Sequence, residues 1–131
     1  MRMQAMIRVL ARAATLAVVA IVAACGPLHR GRGEPPSLIV FTNAAMDQAT
    51  VYVVAPGSDF RRIGTVSAGR TDTLEVPANY IVRGGSVNIA VRLLAMSGIP
   101  QTGPVTLYPG DTYLVRLAPD GRMLSFLPGG Q

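Results

Sequence analysis

No tryptophan, no lysine, one histidine and one cysteine occur in the 131 residues of this sequence, and most of these shortages close off a class of function. A single cysteine, Cys25, permits no disulfide within the chain. From residue 37 onward there is neither cysteine nor histidine, so a serine or cysteine nucleophile would lack the base that usually activates it. Ser58, Ser67, Ser86, Ser97 and Ser125 read instead as turn and strand-end residues. Catalysis by two facing carboxylates is disfavoured as well. Asp72 and Glu75 stand three apart in a strand-like run, and on a strand that spacing points them to opposite faces. The one glycine cluster, Gly84-Gly85-Ser86, has neither the lysine nor the following helix of a phosphate-cradling loop. The chain is therefore read as a non-enzyme that needs no cofactor. The lone histidine, His29, has no second histidine or carboxylate pair beside it, and a metal role is not assigned to it. The absence of lysine carries no functional reading.

Charge is also scarce where it would matter. The formal net charge is +5, but Arg2, Arg8, Arg12, Arg30 and Arg32 all precede residue 37. Beyond it, seven arginines face six carboxylates. No basic surface for nucleic acid is expected from that balance.

What is present begins at the N-terminus. Arg2, Arg8 and Arg12 form a positive stretch without an acid, and the 12 residues from Ala13 to Ala24 are apolar except for Thr15. The small residues Ala23 and Ala24 then precede Cys25. This is the plan of a secretory signal peptide. The apolar run is bounded by Arg12 and by Gly26-Pro27, so it is short of the roughly 20 residues a transmembrane helix needs. The run Val22-Ala23-Ala24-Cys25-Gly26 resembles the lipobox of bacterial lipoproteins, with Val22 where leucine is commonest. The resemblance implies a diacylglycerol on the Cys25 thiol and cleavage by signal peptidase II between Ala24 and Cys25. It also implies lipid anchoring to the cell membrane or outer membrane, with the domain in the periplasm or at the cell surface. Gly26 stands where the inner-membrane retention signal of enteric bacteria is aspartate, which implies outer-membrane delivery.

Residues 26–36, GPLHRGRGEPP, hold little to bury and read as a flexible or semi-extended linker. The expected organisation is a signal peptide over 1–24 that includes an N-terminal signal helix, a lipidated Cys25 with linker over 25–36, and one domain over 37–131.

That domain reads as short β-rich runs separated by turn residues: 38–42, 50–54, 60–67, 71–76, 87–96, 105–108, 113–117 and 123–127. In the longest, Val87, Ile89, Val91, Leu93 and Ala95 share a face, with Asn88 and Arg92 opposite. Asp120-Gly121 marks a tight hairpin turn. Runs spaced near ten residues predict an all-β fold, a single antiparallel β-sandwich of seven to eight strands. The size resembles immunoglobulin-like domains, but the paired cysteines and tryptophan of antibody domains are missing, so the likeness is to architecture alone.

Two functions are compatible with such a domain. The first is a structural or protein-interaction module with an envelope protein as partner. The alternative is a ligand-binding module for a glycan or calcium. For calcium the candidates are Asp47, Asp59, Asp72, Asp111 and Asp120, all in or beside expected turns, although aspartate is an ordinary turn former. For a glycan they are Tyr52, Tyr80, Tyr108 and Tyr113, besides the three phenylalanines. Tyr80 is expected to be exposed in a long loop, and Tyr113 to lie in the core. Convergence of exposed tyrosine and aspartate in a concave site would separate the two functions.

Overall fold

A computed structural model describes residues 33–81 and 85–129 of the chain. The signal segment, its expected helix, Ala24, Cys25 and His29 lie outside the described residues.

Period-two alternation decides the fold, because successive side chains on a strand point to opposite faces. In β1 (Ser37–Asn43), Ser37, Ile39, Phe41 and Asn43 are buried while Leu38, Val40 and Thr42 are half-exposed. In β2 (Ala49–Val54) the inward residues are Ala49, Val51 and Val53. Weaker alternation marks β3 (Arg61–Val66) and β4 (Thr71–Val76), which bury Val66 and the pair Leu74 and Val76. A single 3-10 turn, η1 (Ala78–Tyr80), follows Pro77. β5 (Val87–Leu93) is the most buried strand, β6 (Gln101–Val105) has no fully buried residue, and β7 (Thr112–Leu117) buries Tyr113, Val115 and Leu117. β8 (Leu124–Pro128) ends the fold.

The strands form two four-stranded sheets, in the orders β4-β1-β7-β8 and β3-β2-β5-β6. Their inner faces share one core, with Ile39, Phe41, Val76 and Val115 from the first and Val51, Val53, Ile89 and Val91 from the second. Each such side chain contributes about 1.5–3 kcal/mol when fully removed from water. The architecture is thus an all-β sandwich.

The expected wholly antiparallel arrangement is corrected at one pair. β1 and β7 run parallel, in the register Ile39↔Tyr113 to Asn43↔Leu117, while β1 pairs antiparallel with β4. Alternation reports which face of a strand is buried and carries no information about its neighbour. Parallel neighbours also need a long connection, supplied here by the chain from β2 through β6.

Two strand boundaries also shift. The 105–108 run is replaced by β6 at Gln101–Val105, because an edge strand tolerates Pro104, whose missing N–H costs nothing on the open side. β5 stops at Leu93 rather than at 96. The Asp47 carboxylate accepts the Ala95 N–H at 2.7 Å and turns the chain outward, leaving Ala95 exposed instead of in the core stripe. The 120–121 hairpin forms as expected: Gly121 adopts φ 69° and donates its N–H to the Ala118 carbonyl.

Registers fix which loops share an end. Ser37 lies opposite Val76, Leu38 beside Thr112, Val53 opposite Arg61 and Tyr113 opposite Pro128. The chain therefore enters the sandwich at the same end as the β6–β7 connection. The far end is pinned by Asn43, which is fully buried. Its amide donates to the Asp47 and Val66 carbonyls (2.8 and 3.1 Å) and its Oδ1 accepts the Ala45 N–H.

Candidate functional site

The corner between β6 and β7, Leu107 to Tyr113, builds a polar-lined groove. Leu107 is buried and plugs the core, so the chain must turn immediately after it. Pro109 and Gly110 make that turn. Gly110 has φ 86°, a conformation side chains disfavour, and a Cβ there would come 3.3 Å from Pro35. Tyr113 then starts β7 with its ring in the core, stacked on Phe126 at 5.4 Å between centroids. Its hydroxyl accepts the Tyr108 N–H at 2.8 Å and donates to Asp111 Oδ2 at 3.4 Å. Burial pushes the Tyr113 phenol above its ordinary value of 10.0; the Tyr108 N–H opposes that shift and the Asp111 carboxylate adds to it.

The same corner grips the incoming chain. Ser37 Oγ donates to the Tyr108 carbonyl at 2.6 Å, the Gly110 N–H reaches the Pro36 carbonyl, and the Leu38 N–H reaches the Asp111 carbonyl. Beside it lies a groove of about 420 Å³ lined by Tyr108, Asp111, Thr106, Thr112 and Phe126. Tyr108 is 59% exposed.

A second surface lies on the outer face of the β3-β2-β5-β6 sheet. Tyr52 meets the edge of Phe60 at 5.9 Å, and with Ile99 and Arg92 these rings frame a hollow of about 240 Å³. Phe60 and Ile99 are each nearly half exposed, and Ala90 on β5 is fully buried.

The remaining candidates do not assemble. Among the described residues no group of three or more His, Cys, Asp or Glu side chains is placed to hold a metal ion. Asp47 and Asp120 are occupied in their own turns, accepting the Gln48 and Arg122 N–H groups. Asp72 lies in β4, near the start of the strand, as its run predicts. Tyr80 is not the exposed aromatic: its ring packs half-buried on the core, with the Arg61 guanidinium 5.6 Å above it. Pro77 initiates the short turn that folds it back, with Tyr80 N–H bonded to the Pro77 carbonyl. Tyr113 is buried, as its stripe predicts. Of the named tyrosines and aspartates, Tyr108, Tyr113 and Asp111 line one concavity. Arg92 and Ile99 were not singled out as site residues by sequence, and Phe60 and Phe126 stood there only among the three phenylalanines. The available signal was Tyr108 directly before Pro109-Gly110, since a side chain at the mouth of a turn has little to pack against.

Among the described residues no helix is long and apolar enough to cross a membrane. No protein-family profile and no curated protein sequence matches this chain.

Proposed function

We propose that this protein is a membrane-anchored envelope lipoprotein whose β-sandwich serves as a protein-interaction module. A diacylglycerol on the Cys25 thiol, followed by cleavage between Ala24 and Cys25, makes the anchor, and residues 26–36 form the tether. One acyl chain holds only reversibly, and two or more give stable attachment.

The finer fold assignment, an immunoglobulin-like sandwich, belongs to the same reading. Its support is Tyr113, which starts a strand and bonds through its hydroxyl to backbone five residues upstream. That is the arrangement of the tyrosine corner in such domains. The strand orders differ from the ABED and CFG sheets of immunoglobulin constant domains, so the kinship is of architecture.

The observation that carries the interaction role is the Tyr52–Phe60–Ile99–Arg92 face. Aromatic residues and arginine are the types enriched where proteins meet, and lysine and carboxylates are depleted there. The hollow contains one arginine and no carboxylate. It suits a partner that seats an apolar side chain against the rings and a carboxylate on Arg92. β1, which follows the linker in sequence, belongs to the other sheet.

The test places a photoreactive phenylalanine analogue at position 60 of the full chain in intact cells. One discrete adduct is expected, lost in an Arg92→Ala background, with none from position 73 on the other sheet. No adduct at 60, or the same adducts from both positions, overturns the interaction role.

A further inference from the structure

We infer that the groove beside the β6–β7 corner is a carbohydrate-binding site. The inference rests on the groove itself and is independent of the lipid anchor.

A sugar ring has two chemical faces. Its C–H groups form an apolar plane that packs on an aromatic ring, and its hydroxyls donate and accept hydrogen bonds at the rim. The groove offers a counterpart to each. Tyr108 stands 59% exposed at its edge, and Phe126 contributes a half-buried ring backed by Tyr113. Asp111 supplies a carboxylate whose Oδ2 accepts from the Tyr113 hydroxyl at 3.4 Å. A carboxylate accepts from two neighbouring hydroxyls at once. Thr106 and Thr112 add hydroxyls that donate and accept. The volume, about 420 Å³, falls within the range of small-ligand pockets, roughly 300–1,000 Å³.

The lining disfavours other ligands. A single carboxylate falls far short of the six to eight oxygens that calcium requires. Asp111 repels anions. The platform is also held rigid. The corner's hydrogen bonds use the Tyr108 N–H and carbonyl, so its side chain is free of structural duty while its backbone is clamped by Tyr113 and Ser37. Preorganisation of that kind lowers the entropy lost on binding.

The experiment uses the full-length chain in a zwitterionic detergent free of sugar. Two probes are titrated, a β-linked N-acetylglucosamine tetramer and the oligosaccharide released from a bacterial membrane glycolipid. Backbone NMR reports where each one binds. Saturable binding of at least one probe is expected, with shifts confined to residues 106–113 and 126–129. The probe that binds tells a wall polysaccharide from a lipid headgroup. Tyr108→Ala is expected to weaken binding about tenfold or more, and Tyr108→Phe, which keeps the ring, less than about threefold. Both variants should melt at the wild-type temperature, separating a binding role from a structural one. Saturation by neither probe overturns the inference. So do shifts elsewhere on the sandwich, or a Tyr108→Ala variant that binds like the wild type.

Discussion

Tyr113 joins the core to the corner through one oxygen, and that oxygen sets how the fold responds to alkali. Its folded-state phenol ionises above its ordinary value of 10.0, so the folded state holds the proton more tightly than the unfolded one. Stability from this group is fully present below pH 10 and falls as pH rises through the folded-state value. Ionisation would also set a phenolate against Asp111. Denaturant melts should therefore show a loss of stability above pH 10 that Tyr113→Phe removes and Tyr108→Phe retains. At neutral pH, Tyr113→Phe leaves the Tyr108 N–H without its partner, at a cost of about 1 kcal/mol. Asn43 is the other residue whose polar atoms are indispensable. Asn43→Ala strips partners from two carbonyls and one N–H at a fully buried position, and urea titration should register a loss of about 2–4 kcal/mol.

The strands differ in how plainly their residues announce them. β7 is legible because one face is covered and the other wet, so Tyr113, Val115 and Leu117 stand out at period two, and on β5 Val87, Ile89, Val91 and Leu93 keep that period although Ala90 on the other face is buried too. Ile89→Ala should cost about 2–5 kcal/mol in a chemical melt through the cavity it leaves. Arg92→Ala on the opposite face should change stability by less than about 0.5 kcal/mol. Equal costs would mean that both faces of β5 are covered. β6 is misplaced by sequence because Gly103 and Pro104 resemble breakers, and only its position at a sheet edge makes them acceptable. Ala95 reads as core until the Asp47 carboxylate, 48 residues away, is seen to take its N–H. The groove was half legible for the same reason. Tyr108 and Asp111 were recognisable as residue types, whereas their shared concavity depends on Phe126 arriving from β8. Gly64 gives a further test at this scale. A Cβ there would come 2.5 Å from Leu74 Cδ2, so Gly64→Ala should displace the Leu74 side chain from its place in the core and lower the melting temperature modestly.

For the whole molecule, the proposed anchor makes a direct expectation. Mass spectrometry of the mature protein should find residue 25 at the N-terminus bearing acyl mass, and Cys25→Ser should leave an unprocessed or misrouted precursor. An unmodified thiol at Cys25 would exclude the lipid. The twelve residues from Cys25 to Pro36 span at most about 43 Å when fully extended, which would keep the sandwich close to the membrane that holds the lipid. The place where that tether joins the fold has a mechanical consequence. It feeds β1, which lies between β4 and β7 rather than at a sheet edge. Tension between a lipid at one end and a bound partner at the other would run along β1 and load both of its hydrogen-bonded ladders in shear. All the bonds would share the force and have to fail together. A tether joined to an edge strand such as β8 would instead let them peel apart one by one. The junction itself, braced by Ser37 Oγ on the Tyr108 carbonyl and by Gly110 on Pro36, is where strain would first be felt, and that brace forms one wall of the groove.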